Sequence, residues 1–280
     1  GKAPISLNDN APMSEKLAAR IANGETGKFD AELFSFIATD FLSGVQSAFK
    51  RSMNHADVRF AYGLQDDAFI TALEMNLFHF SAGKTLAEIQ ELNKAFRESG
   101  NFQEFSKKAE QICGTFNKTW QKTEYETAVL TAESASNYHR LMGKTKMFPY
   151  WKYVTAGDEK VREEHRKLDG VILPANDPRW KKIFPPNGWK CRCRVVPLMK
   201  HEVEGIDINA MRAIVDEYLG TSEWKMNEAQ GWDSNRGETA EVFSKNQHYI
   251  RKFPDKAASL LGDLHYNDYG LESFGKKAAA

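Results

Sequence analysis

Apolar positions recur at three- and four-residue spacing through most of the first half of the chain. Leu33, Phe36, Ile37, Phe41, Val45 and Phe49 form one such stripe, which places them on one face of a helix. Asp30 stands where an N-cap belongs, and Phe29 and Phe34 are spaced for a hydrophobic staple across it. Thr85 and Glu88 have capping-box spacing ahead of a second stripe through Leu86, Ile89, Leu92 and Phe96. Ser99-Gly100-Asn101 breaks that stripe. Phe102, Phe105, Ala109, Ile112, Phe116 and Trp120 resume it, and Tyr125, Val129 and Ala132 follow. The expectation is a helical hairpin or small bundle whose aromatic residues form its core.

The pattern changes near residue 148. No proline falls between Met13 and Phe148, whereas Pro149, Pro174, Pro178, Pro185, Pro186 and Pro197 crowd the next stretch. Proline breaks helix interiors, so this middle stretch is not mainly helical. Tyr150 to Thr155 alternates aromatic and branched residues and reads as a strand. Asp158 is placed to cap a short helix from Glu159 to Leu168, with Gly170 as its stop. After a loop rich in proline and aspartate, Lys190 to Val196 reads as a second strand. The expected fold is therefore α+β. It comprises an N-terminal helical bundle or hairpin, a compact core with a short antiparallel sheet, and a mixed C-terminal extension.

Composition narrows the function classes. The 280 residues are 41% hydrophobic and 12% aromatic, enough to fill a core. Lysine plus arginine equals aspartate plus glutamate at 38 each, which argues against a polybasic nucleic-acid coat. Charge is nonetheless uneven. Residues 150–200 carry twelve Lys/Arg against six Asp/Glu, and residues 201–280 carry nine against fourteen. A basic centre beside an acidic tail fits either self-neutralised surfaces or a basic face for a partner, with Lys181, Lys182, Arg192 and Arg194 as candidate nucleic-acid contacts. No apolar run approaches the roughly 18–20 residues that span a bilayer, and no leader opens the chain. The expectation is a soluble protein assembled in a cytoplasm, with no membrane partner.

Three cysteines argue against a disulfide framework. Cys191 and Cys193, two apart on the expected strand, project from one side. Val161, His165 and Leu168 share a helix face, so His165 points inward. The histidine and two thiols are of the right types to converge on zinc, with Asp158, Asp169 or His139 as a fourth ligand. The same residues also suit a buried histidine hydrogen-bonded to backbone beside two small core thiols. A Gly-x-Ser-x-Gly elbow, a phosphate loop and a His-Glu-x-x-His helix are all missing from the sequence, so it contains no recognised catalytic motif.

The run from Trp151 to Gly170 carries an aromatic strand, Asp158, the Val161-Arg162 pair, His165 and then Leu168-Asp169-Gly170. A proline-rich loop follows, ending in Asn187, three further residues and Cys191-Arg192-Cys193. This order resembles the core of the phage Mu protein F-like minor head proteins. The resemblance extends over about residues 132–197, roughly a quarter of the chain, and more loosely over Gly231 to Tyr249. Upstream, where the family often reads Arg-Thr-Glu, this chain has Leu130-Thr131-Ala132-Glu133. The resemblance implies Trp151, Asp158, Gly170 and Asn187 as structural motif residues; with the helical periodicity and the charge distribution, the expected segments are 1–130 as a helical arm or bundle, 131–200 as the core, and 201–280 as an acidic extension packing on or following it.

What the resemblance further implies is a minor capsid or head morphogenesis protein of a tailed phage or prophage. Such a protein resides in the virion head after assembly in the bacterial cytoplasm, with the portal, other head proteins and packaged DNA as partners. No catalytic residues follow from it, and zinc is the only cofactor candidate. The alternative is a metal-dependent nuclease or hydrolase centred on His165, Cys191, Cys193 and Asp169, with the basic segment holding a phosphate backbone.

Overall fold

The computed structural model describes residues 4–53 and 64–256. The side chain of Phe49 and residues 257–280 of the expected extension lie outside the described residues. Two compact units emerge. One gathers Gly1–Phe41, Leu77–Thr123 and His248–Ala280, and the other Leu42–Asn76 and Glu124–Gln247, each over its described residues.

The first unit is helical. It draws on α1 (Met13–Asn23), the first part of α2 (Ala31–Met53), most of α3 (Leu64–Arg97), α4 (Phe102–Gly114), and α11 (His248–Lys252) near the chain's end. Asp30 caps α2 as expected: its Oδ1 accepts from the Leu33 backbone N–H at 2.9 Å, and Phe29 and Phe34 stack at 5.6 Å. Asn101 caps α4, accepting from Glu104 N–H at 2.9 Å, while the Glu104 carboxylate accepts from Gly100 N–H at 3.0 Å. Leu33, Phe34, Ile37 and Phe41 are fully buried.

Three expectations fail here. Thr85 does not start a helix: α3 runs unbroken through it, and its hydroxyl donates to the Ser81 carbonyl one turn back, a use open to any mid-helix threonine. Phe36, Phe96 and Trp120 are 46%, 38% and 43% exposed, so the stripes are wider than the buried face they mark. Between α4 and α5 (Gln121–Met142) the chain widens into a π turn, Thr115–Trp120. The buried Lys84 donates to the Phe116 carbonyl there at 2.9 Å.

The second unit is α+β, built on a three-stranded antiparallel sheet of order β2-β1-β3. Strand β1 (Tyr150–Val154) is central, between β2 (Ile172–Pro174) and β3 (Arg194–Leu198). Trp151 pairs with Leu173 on one side and Pro197 on the other, and Tyr153 pairs with Val195. Alternation along β1 turns Trp151 and Tyr153 inward, and both are fully buried. They join Tyr138 of α5, Trp180 of α7 (Trp180–Ile183), Phe184, and Tyr218 of α8 (Ile208–Leu219) in one core. Ring separations of 5.8 Å (Trp151–Trp180) and 5.2 Å (Tyr138–Phe184) place these aromatics in tilted and edge contacts. Helices α9 (Ser222–Ala229) and α10 (Arg236–Thr239) complete the unit.

Two local expectations are corrected. The short helix α6 covers only Glu163–Arg166, and its N-cap residue is Arg162. Asp158 instead closes a turn with Lys160 N–H at 3.0 Å and grips Arg192 with both carboxylate oxygens, at 2.6 and 2.7 Å. Strand β3 begins at Arg194, so Cys191 and Cys193 lie on the approach to it.

Candidate metal centre

The local chain path explains why three reactive side chains meet. After β1, the chain turns through α6 and reverses at Leu168-Asp169-Gly170 into β2. Gly170 has φ +81°, a left-handed conformation that suits glycine. Asp169 locks this reversal: its Oδ1 accepts from the backbone N–H and the hydroxyl of Thr155, at 2.7 and 3.0 Å. Tyr153 and Gly170 close the same loop through backbone bonds, Gly170 N–H to Tyr153 O at 2.9 Å. His165 is thereby carried inward and is 2% exposed.

A second reversal, Asn187 to Cys191, delivers the thiols. Cys191 N–H donates to Gly188 O at 3.2 Å, and Lys190 adopts φ 55° with its N–H held by Thr127 Oγ1 at 3.0 Å. Past this knuckle the chain is extended, so Cys191 and Cys193 turn inward while Arg192 between them is exposed. Extended backbone alternates its side chains whether or not it pairs in a sheet, which is why the same-side expectation survives the loss of the strand.

The result is a buried triad. The Sγ atoms of Cys191 and Cys193 lie 3.7 and 3.6 Å from His165 Nδ1. His165, Cys191 and Cys193 each offer a ligand atom within 4.8 Å of the others, and no further His, Cys, Asp or Glu joins them among the described residues. Both cysteines are free thiols. The other ring nitrogen, Nε2, faces the Asn187 carbonyl at 3.2 Å. A carbonyl only accepts, so Nε2 carries the proton and Nδ1 presents its lone pair to the sulfurs.

The surroundings separate the two thiols. The Cys193 thiol donates to Cys191 and draws the Cys191 thiol well below its ordinary value; burial opposes this, and a backbone bond from Asn187 adds to it. Cys193 is correspondingly pushed up, although the Tyr153 hydroxyl works in the other direction. That hydroxyl also donates to Asn187 Oδ1 at 3.1 Å. Burial itself raises Tyr153 well above the usual phenol range. Asn187 is fully buried and its amide donates to Lys182 O at 3.2 Å, so its side chain joins β1, through Tyr153, to α7.

The remaining candidates stand elsewhere. Asp169 is committed to Thr155 and Asp158 to Arg192, as above. His139, on α5, lies edge-on to Phe69 at 4.6 Å. Of the basic residues, Lys182 pairs with Glu228 at 3.1 Å and Arg192 with Asp158, while Lys181 and Arg194 are exposed. Trp151 sits in the core, and Gly170 and Asn187 hold the two reversals. Sequence reasoning missed Tyr153 as a partner of the thiols. Its place two residues after Trp151 on an alternating strand put it on the inward face and was the available signal.

Residues 89–196 match the family described as Phage Mu protein F like protein. The resemblance read from the motifs is supported over this span. The matched span starts inside α3, well upstream of the resemblance read from motifs, and contains His165, Cys191 and Cys193. It is 36% identical over 154 residues to the Mu-like prophage FluMu F protein of Haemophilus influenzae, covering 47% of this chain and 36% of that protein. The putative capsid assembly protein F of Escherichia phage Mu is 30% identical over 152 residues, 46% of this chain and 34% of that one. An uncharacterized protein of Methanocaldococcus jannaschii is 49% identical over 47 residues, 16% of this chain and 7% of that one. The chain thus spans about a third of the length of the first two relatives. No solved structure matches. No helix among the described residues is long and apolar enough to cross a membrane.

Proposed function

We propose that this chain acts in assembly of a tailed-phage or prophage head, as a minor head protein associated with the portal. The observation that carries the reading is the Mu F like match over residues 89–196, together with a relative named as a capsid assembly protein. The fold is consistent with it. The motif residues serve the architecture of a small sheet and its reversals, and no carboxylate stands with His165 and the thiols among the described residues to act as a general base. In this reading residues 1–130 provide a helical arm, residues 131–200 the core and residues 201–280 the extension. The arm offers exposed Phe36, Phe96 and Trp120 as apolar contacts for other head proteins.

Quantitative mass spectrometry of DNA-filled particles from the source strain tests the reading. A few copies per head are expected, with cross-links from this chain to the portal. Absence from both filled particles and procapsids would overturn the assembly role. Cross-links confined to the coat lattice would remove the portal association and leave the head.

A further inference from the structure

A hydrogen-bond chain from Cys193 through Cys191 to His165 accounts for one sulfur at Nδ1, but not for two. His165 Nδ1 has one lone pair, because Nε2 is engaged by the Asn187 carbonyl. Two sulfurs nevertheless approach that single lone pair at nearly equal distances, 3.7 and 3.6 Å. Only one thiol proton can occupy it. A cation between the three atoms accepts all of them at once.

The distances agree with one particular cation. A tetrahedral ion with metal–nitrogen bonds of about 2.0–2.1 Å and metal–sulfur bonds of about 2.3 Å holds nitrogen and sulfur about 3.6 Å apart, and those are the bond lengths of zinc. Two thiolates and an imidazole are soft to borderline ligands, which disfavours magnesium, calcium and manganese. The surroundings are those of a metal site rather than a chance cluster. A backbone carbonyl fixes the histidine tautomer, and a backbone N–H from Asn187 reaches Cys191.

We propose that His165 Nδ1, Cys191 Sγ and Cys193 Sγ bind one zinc ion. The ion clips the turn after Pro185 and Pro186 onto the helix that follows β1. The two thiol protons leave to solvent as the zinc–sulfur bonds form. The fourth position is completed by water. Cys191 and Cys193 line a cavity of about 290 Å³ together with Ser134, Asn137 and Arg140, which brings water close to the two cysteines. This inference is independent of the head-assembly reading, since zinc content is measured on the isolated protein.

The test uses the full chain purified without a metal-affinity tag and dialysed free of loose metal. Elemental mass spectrometry is expected to find one zinc per chain. Cys113→Ser should keep it, since Cys113 lies in the helical unit, whereas the Cys191→Ser/Cys193→Ser pair should lose it. Because that pair of substitutions removes buried groups and can unfold the protein, a second measurement uses the native sequence. Zinc is stripped with a chelator and cobalt(II) is titrated in. An intense visible spectrum of tetrahedral cobalt with a thiolate charge-transfer band is expected to saturate at one equivalent. Metal-free native protein that yields no thiolate–cobalt band would overturn the proposal, and so would zinc retained in a folded double variant.

Discussion

Glu88 shows how a single buried residue sets a property of its unit. It is fully buried on α3, and its Oε1 accepts from Asn117 Nδ2 at 2.7 Å. Burial pushes its carboxyl up from 4.5 to about 7, only partly offset by hydrogen bonds from Cys113 and Asn117 and by the charge of Lys84. In the unfolded chain the group ionises near its ordinary value, so between about pH 4.5 and 7 the folded state binds more protons. Stability is then fully present below the lower value, falls as pH rises through the window, and levels off above it, by an amount on the order of 3 kcal/mol. Glu88→Gln should remove that slope. Denaturant midpoints at about pH 4.5 and about pH 8 check it: the loss between the two should shrink in the variant. Parallel profiles would show that Glu88 does not titrate there. The sequence misassigned this residue, because Thr85 and Glu88 have the spacing of a cap and spacing cannot show that a helix is already under way. His165, Cys191 and Cys193 were legible for the opposite reason. Alternation in extended chain and a four-residue helix step depend only on local geometry, so their inward direction followed without the tertiary fold. The fourth-ligand candidates did not follow, because the Asp158–Arg192 and Asp169–Thr155 partnerships connect residues far apart or across a turn.

At the scale of elements, breaks and the Asp30 cap were readable, whereas the Thr85 and Asp158 caps and the helix lengths were not. Asp30 and Asn101 begin helices because their side chains satisfy N–H groups that a helix start leaves unpaired, and both are visible as residue types. The π turn at Thr115–Trp120 left no trace in the stripe, since Ile112, Phe116 and Trp120 keep the four-residue step of a regular helix. Helix α10 in the extension had no periodic signal at all, and its placement rests on a close approach. A Cβ on Gly237 would lie 2.4 Å from Tyr138 Cδ1 and 2.6 Å from Tyr138 Cβ. The Tyr138 hydroxyl meanwhile donates to Glu238 at 2.7 Å, so the ring cannot swing away without losing that bond. Gly237→Ala should therefore destabilise the α+β unit by about 1–3 kcal/mol, as overpacking of a filled site does. Urea unfolding followed by fluorescence measures it, with the midpoint lowered and the slope unchanged. An unshifted midpoint would mean that α10 does not seat on α5.

For the whole molecule, the two units carry their chemistry separately, and one spectroscopic reporter tells them apart. Trp151, Trp180, Trp189, Trp224 and Trp232 belong to the α+β unit, and Trp120 alone to the helical one. Tryptophan fluorescence therefore follows the unit that holds the zinc triad, whereas the Glu88 effect arises in the other. A ligand that binds only the folded state adds stability by mass action, about 2.7 kcal/mol when its free concentration is a hundred times its dissociation constant. For a domain of about 150–250 residues, each 1 kcal/mol moves the midpoint by roughly 2–4 °C. Zinc held at that excess should thus raise the fluorescence-detected midpoint by about 5–11 °C over chelated protein. Glu88→Gln should leave this increment unchanged, because the residue it alters is not in the unit that binds the ion. A chelator that shifts nothing would separate the clip from the fold: the turn at Asn187 and the reversal at Gly170 would then be held by the hydrogen bonds of Asn187, Tyr153, Asp169 and Thr127, which need no metal.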